Sequence, residues 1–236
     1  MKVKIMTRLN NRKDDELRPI EAKVGVIKNA IGSAMFRLGN TIAIAGVFGP
    51  REVHPRHATE ATRAILRTTY AMAPFATDDR GRPGPSRRSS EIGLVTSQAF
   101  KDVIFLEDFP KTAIDVRIEI IQADASTRCV GINAAALALA DAGIPMRDMV
   151  ASCSAGIVDG KVLLDIEGKE DSNGELDLPV AYYPKEKKLT LLQMDGMTNN
   201  KQMKEIIQLA IKGCEEIYKA QKKALREKYE VKKKWV

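Results

Sequence analysis

The sequence predicts an α+β fold, and three observations carry that expectation. Short apolar runs have strand-like spacing, stretches of helical spacing are set among them, and no linker divides the chain. The first runs, Ala22 to Ile27, Ala34 to Leu38 and Thr41 to Phe48, are punctuated by Gly32, Gly39-Asn40 and Gly49-Pro50, which reads as a meander of strands. Ile65 to Met72 continues it. The Pro/Gly/Arg-rich stretch Pro74 to Pro85 then breaks all periodicity and predicts an exposed loop. Ile92, Val95, Ala99, Val103 and Leu106 recur at helical spacing, so a helix is expected over Ser86 to Glu107, with Arg87 and Arg88 in its first turn. Cations there oppose the helix dipole and need a reason to be present.

Ala113 to Gln122 alternates, with Ile114, Val116, Ile118 and Ile120 on one face, and predicts a half-buried strand. A tight turn and a helix made almost wholly of Ala and Leu follow, ended by Gly143 and Pro145. Strands are expected at Met149 to Val158, Lys161 to Ile166, Leu176 to Tyr183 and Leu189 to Met194. Asp159-Gly160 forms a hairpin turn between the first two. The chain closes on a long helix capped by Asn199 or Asn200. Its buried stripe is Met203, Ile206, Ile207, Ala210, Ile211, Cys214, Ile217, Tyr218, Ala224 and Leu225.

Composition bounds the function. With 236 residues and 44% hydrophobic content the chain can bury a core. Cys129, Cys153 and Cys214 are odd in number and far apart, which suggests neither a disulfide framework nor a zinc site and fits a reducing cytoplasm. No apolar h-region and no run of eighteen apolar residues is present, so neither a signal peptide nor a membrane span is expected. The net charge of +7 favours an anionic partner, and its distribution says more. Residues 51 to 89 hold eight of the sixteen arginines (51, 56, 63, 67, 80, 82, 87, 88), both histidines and no lysine. Arginine's planar fork suits phosphate, although a solvated loop would also carry such charge. The lysine-rich end, Lys222 to Lys234, reads as a solvated face.

Two segments could carry chemistry. Asp124 to Arg128, DASTR, lies where a strand hands over to a helix; free N–H groups, Ser126 and Thr127 hydroxyls and the Arg128 charge would make an anion site there. Asp124 or Ser126 acting only as a helix cap explains the segment equally well. Further on, Asp165, Glu167, Glu170, Asp171, Glu175 and Asp177 crowd six carboxylates into thirteen residues of a basic protein. A cation is expected near them, and a loop carboxylate and a strand carboxylate six apart could share a divalent metal or divide metal binding from acid work. An acidic solvated loop is the alternative. No nucleotide-binding glycine loop is present, and Pro55 within HPRH argues against a helical zinc motif, leaving His54 and His57 as loop residues.

Taken in order, GPREVHPRH (49–57), PSRRSSEIG (85–93), TAIDVRIEIIQADASTR (112–128), ALALADAGIPMRD (136–148) and EDSNGELD (170–177) resemble the RNase PH family. The likeness runs from Glu16 to the final helix, and DELRPI and GIPMRD are most similar to the family's archaeal exosome members. The resemblance implies one RNase PH-like α+β domain over 1–236, of two βαβ-type halves with mixed sheets and packed helices, with 1–15 an N-terminal extension and 222–236 a basic end. It implies a phosphorolytic 3′→5′ exoribonuclease that can also tail RNA in reverse. Ser126, Thr127 and Arg128 become the phosphate site, and Asp171 and Asp177 the catalytic and metal-binding carboxylates for Mg²⁺ or Mn²⁺. Arg56, His57, Arg87 and Arg88 become RNA contacts. The implied partners are the 3′ end of single-stranded RNA, a homologous non-catalytic subunit in a hexameric ring, and RNA-binding cap subunits. A non-catalytic ring member or a tRNA-trimming RNase PH is the rival reading. Two residues depart from the family pattern: Ser126 stands at a usual glycine, and Asn11 in a motif that commonly reads DGR and is expected to be remote from the chemistry.

Overall fold

The computed structural model describes residues 8, 11–79 and 81–230; Arg80, 1–7, 9–10 and 231–236 lie outside the described residues. The first sheet is built from β1 (Ile20–Val24), β2 (Gly32–Leu38), β3 (Thr41–Glu52), β4 (Ile65–Met72) and β5 (Thr112–Gln122), in the order β1-β2-β3-β5-β4. β4 and β5 run parallel and are joined through α1 (Arg87–Lys101), one βαβ crossover; the other pairs are antiparallel. α2 (Thr127–Asp141) follows β5 directly. The second sheet contains β6 (Ala151–Val158), β7 (Lys161–Leu164), β8 (Leu176–Tyr183), β9 (Lys188–Leu192) and β10 (Asp195–Gly196), with a short α3 (Gly168–Asn173) between β7 and β8. Every pair in it is antiparallel; β7 and β8, which flank β6 and so run parallel to each other, are joined through α3, the β-α-β connection of the second half. α4 (Asn200–Tyr229) packs back on β6, β7, β8 and β1.

α2 explains how the halves join. It touches β2, β3 and β5 on one side and β6 and β8 on the other, and twelve of its fifteen residues are buried. A helix buried all round must be apolar all round, which is why its composition is Ala and Leu rather than amphipathic. Small side chains let it lie close: a Cβ on Gly32 of β2 would stand 2.1 Å from the Ala142 nitrogen. One continuous core, from Phe36 and Ile118 through Leu137 to Leu178 and Ile217, spans both sheets.

Several boundaries differ from the sequence expectation for physical reasons. β1 begins two residues early and stops before Gly25, whose φ of 77° turns the chain. β3 continues through Gly49-Pro50 to Glu52, because a register shift between Phe48 and Arg51 lets it keep pairing with β5. α1 ends at Lys101, not Glu107; Val103 and Ile104 both donate to the Phe100 carbonyl in a closing turn. Val103 and Leu106 are still buried there, so their spacing reported packing beyond the helix. Asp159 and Gly160 both adopt left-handed φ, 50° and 72°, as a two-residue hairpin turn requires. Asn199 caps α4, accepting from the Lys201 and Gln202 amides at 3.1 and 2.9 Å. The stripe of α4 includes a polar position the sequence did not reveal: Gln221 is fully buried and donates to the Val150 carbonyl at 3.2 Å.

Candidate active site

The turn between β5 and α2 is held from beneath. Thr41 Oγ1 donates to the Asp124 and Ala125 carbonyls at 2.8 Å, Arg18 Nη1 donates to the Asp124 carbonyl at 2.6 Å, and Asn40 Nδ2 donates to the Asp124 carboxylate at 3.1 Å. Ala125 and Ser126 then take left-handed φ of 56° and 52°. A glycine adopts this conformation freely and a serine at some cost. The same holds at Asn11, φ 54°, so both departures from the family's glycines fall on left-handed backbone.

Neither Asp124 nor Ser126 caps α2. The Ser126 side chain makes no capping bond; its hydroxyl pairs with Ser154 Oγ at 3.0 Å on β6. The first turn of α2 therefore opens, uncapped by side chains, onto a pocket of about 890 Å³ lined by Ser126, Thr127, Arg128 and Cys129. This is the geometry of an anion site. Burial pushes the Cys129 thiol up to about 12, so it is no thiolate nucleophile.

Across the pocket stand Asp171, Asp177 and Asp195. Asp171 rides on α3, a short helix where the sequence suggested a loop. Asp177 pairs in register with Asp195 between β8 and β10. Asp177 Oδ1 is buried without a hydrogen-bond partner. Its pKa is raised to about 7, first by burial and then by the charge of Asp171, with Arg128 pulling the other way. Asp171 is raised too, mainly by burial. Both carboxylates hold a proton more tightly than in water, and a nearby cation would relieve them.

The rest of the acidic cluster does different work. Asp165, Glu167 and Glu170 are buried and paired with arginines of the N-terminal segment: Arg18 to Asp165 at 2.7 Å, Arg12 to Glu167 at 3.0 Å and Arg8 to Glu170 at 3.3 Å. Arg18 thus links Asp165 to Asp124 and fixes the anion turn relative to α3. The Asn11 motif is consequently not remote from the chemistry, because Arg12 beside it reaches the same network. Glu175 joins no arginine pair; it accepts from the Gly160 amide and lines the pocket beside Asp177.

The structure also sorts the arginines. Arg51 and Arg67 both pair with Asp115, Arg63 pairs with Glu60, and Arg56 pairs with Glu52 at 3.2 Å. Arg82, Arg87 and Arg88 make no ion pair among the described residues. Ser86 and Ser89 cap α1 reciprocally and no acidic residue offsets the two arginines in its first turn. Arg88 lines the pocket, together with Ser126, Thr127, Arg128, Asp171 and Asp177; Arg87, Arg56 and His57 do not. Arg56 and His57 form a separate exposed turn, Arg56–Ala58. Sequence reasoning missed Asp195 and Gln193, which also line the pocket, and Glu91, which pairs with Arg128 at 3.1 Å. The only signal for Gln193 and Asp195 was their two-residue spacing at a strand end, which puts side chains on one face.

Comparisons with known proteins give the family. Two models of a 3′ exoribonuclease family match, domain 1 over residues 16–145 and domain 2 over residues 148–213. The exosome complex component Rrp41 of Methanopyrus kandleri is 54% identical over 222 residues, covering 94% of this chain and 93% of the relative. That of Pyrococcus furiosus is 55% identical, covering 94% and 89%. A crystal structure of rice (Oryza sativa) Rrp46 superposes with a TM-score of 0.84 at 21% identity, covering 93% of this chain and all of that one, a likeness of fold. Among the described residues no helix is long and apolar enough to cross a membrane. With both family models matched in order across its two halves, this chain belongs to the 3′ exoribonuclease, or RNase PH, family.

Proposed function

We propose that this chain is the catalytic, RNase PH-like subunit of an archaeal-type exosome, shortening RNA from its 3′ end with inorganic phosphate. The observation that carries the reading is one pocket that holds an open helix N-terminus, Thr127, Arg88 and Arg128 against Asp171 and Asp177. Cationic donors alone would suit an RNA-binding scaffold; paired carboxylates with raised affinity for protons serve bond cleavage. The names of the archaeal relatives favour the exosome over a tRNA-trimming enzyme. The unpaired cysteines suit the cytoplasm.

In this reading phosphate sits on the first turn of α2, held by the Thr127 and Arg128 amides, the Thr127 hydroxyl and the Arg128 guanidinium. A phosphate oxygen attacks the phosphorus of the terminal phosphodiester in line, and the bond to the penultimate 3′-oxygen breaks. With no cation bound, Asp177, raised to about 7, can deliver its proton to that leaving oxygen; as a ligand of a cation it would be ionised, and the proton would come from water. The products are RNA shortened by one nucleotide and a nucleoside 5′-diphosphate. Phosphate is the acceptor, so the reaction is a group transfer rather than a hydrolysis, and excess diphosphate would drive it backwards into tailing. Arg88, with Arg87 beside it, holds the RNA backbone, which gives the unneutralised pair its reason.

The donor set fits a divalent cation. Asp177 Oδ1 is buried and unpartnered, and Asp171 stands with it in the pocket. Among the described residues no group of three or more His, Cys, Asp or Glu could hold a metal by itself. Asp171 and Asp177 would supply part of the shell of Mg²⁺ or Mn²⁺, and substrate phosphate and water the rest. Bound there, the cation would neutralise charge on the reacting phosphates.

The ring of alternating family members, with RNA-binding cap subunits, belongs to the same proposal. Arg56 and His57, exposed and outside the pocket, suit RNA contacts farther along a channel. The test is diphosphate release from a 3′-labelled oligonucleotide by this chain alone and mixed with its RNase PH-like partner. Phosphate-dependent release that rises on mixing supports the reading; RNA binding without release in either case makes this chain the scaffold.

A further inference from the structure

Arg128 is not a free cation waiting in the pocket. Its Nη2 donates to Glu91 Oε2 at 3.1 Å and Oε1 at 3.4 Å, and its Nη1 donates to Gln193 Oε1. Gln193 Nε2 in turn donates to Glu91 Oε1 at 2.8 Å. Three residues from three elements close a ring: Glu91 from α1, Arg128 from α2 and Gln193 from the segment between β9 and β10. A guanidinium has five N–H donors. The clamp engages both terminal nitrogens, each of which carries a second N–H that can serve a ligand, while Nε is buried without a partner.

We infer that Glu91 and Gln193 are positioning residues for phosphate, presetting the Arg128 fork and tying it to the acidic side of the pocket. A long, flexible arginine loses rotamer freedom when it binds an anion; a clamped one has already lost it on folding, so phosphate meets a fixed fork. The tie follows from the chain. Gln193 lies two residues before Asp195, and Asp195 is paired in register with Asp177. The segment 193–195 therefore holds the phosphate-binding arginine at one end and the carboxylate pair at the other. Glu91 carries a second consequence. It stands three residues after Arg88 on α1, so the helix that presents one cation to the pocket also offsets the charge of another. Glu91 should set both the aim of Arg128 and, by partial neutralisation, how readily a phosphate product leaves.

This inference rests on the proposed phosphorolysis, and the experiment separates the two. Glu91→Ala, Glu91→Gln, Gln193→Ala, Arg128→Ala and the Glu91→Ala/Arg128→Ala pair are compared in the complex with the partner subunit. KM for phosphate, KM for RNA and kcat are measured, together with inorganic phosphate binding by calorimetry. Glu91→Ala and Gln193→Ala should each raise the phosphate KM roughly ten-fold, the worth of one charge-assisted hydrogen bond, and leave the RNA KM unmoved. Glu91→Gln keeps the acceptor and removes the charge, so its phosphate KM should stay at or below that of the wild type. In the Arg128→Ala background Glu91→Ala should add nothing. A lowered phosphate KM in Glu91→Ala, or effects of Glu91 and Arg128 that multiply, would overturn the clamp while leaving the phosphate site standing. An unmoved phosphate KM in Arg128→Ala would overturn the site itself, and the clamp with it.

Discussion

Asp177→Asn should remove activity and make the isolated chain more stable. The carboxyl is raised from 3.8 to about 7, so between those values the folded protein holds a proton that the unfolded chain releases. Stability then falls as pH rises from about 4 and levels off above about 7. At 1.36 kcal/mol per unit the full shift sets a ceiling of about 4 kcal/mol. The side chain opens on a watery pocket that screens its charge, which halves the expectation to about 2 kcal/mol. For a chain of this size that is a rise of roughly 4–8 °C in Tm. Asparagine is isosteric and carries no charge, so the gain should be greatest at pH 8 and shrink towards pH 4. Thermal unfolding in chelator across that range measures it. Millimolar Mg²⁺ at pH 8 should raise the Tm of the wild type and not of the variant. Phosphorolysis by the assembled complex should fall on the order of 10²–10⁴. A variant no more stable at pH 8 than at pH 4, relative to wild type, would refute the electrostatic argument; activity within a few-fold would refute the catalytic one.

Replacing Arg87 and Arg88 by alanine should weaken RNA binding and reduce the slope of log K against log salt by roughly 0.7 per lost phosphate contact, read by fluorescence anisotropy. Arg88→Ala alone should also raise the KM for short RNA, because only Arg88 lines the pocket. Asp165→Ala removes the carboxylate that Arg18 holds at 2.7 Å and leaves it only Glu167 at 3.8 Å, so it should cost about 3–5 kcal/mol in denaturant unfolding. In light scattering with a parallel activity assay, the chain alone should be weakly active, and should gain activity as it assembles with its partner; full salt-resistant activity from a monomer would contradict the ring.

Much of this was legible because periodicity and turn chemistry are local. The alternation of Thr112–Gln122, the Asp159-Gly160 turn and the Asn199 cap each depend on a few neighbouring residues, and each formed where expected. Long-range pairing is what a single sequence hides. Nothing near Asp165 or Glu170 announces that their partners are Arg18 and Arg8, more than 140 residues away, so six carboxylates read as one cluster when three of them are structural. The arginines were ambiguous for the same reason: Arg51 and Arg67 share the Asp115 carboxylate across the sheet, and that pairing exists only once β3, β4 and β5 are in register. The turn at Asp124 to Arg128 was visible as a motif, but its missing side-chain cap depends on Ser126 turning to Ser154.

The division of the pocket between the two sheets bears on how this protein is made. Arg88, Thr127 and Arg128 emerge from the ribosome first, while Asp171, Asp177 and Gln193 follow tens of residues later. Until Asp165 has been synthesised, Arg18 lacks its buried partner, and the turn at Asp124 is held by Thr41 and Asn40 without the anchored Arg18. A nascent or truncated chain ending near residue 160 would carry the pocket's arginines but neither Asp171 nor Asp177, so on the proposed assignment it would bind RNA without cutting it. On that assignment, a nuclease made on the class of molecule it degrades would gain its cutting groups only after its RNA-binding ones.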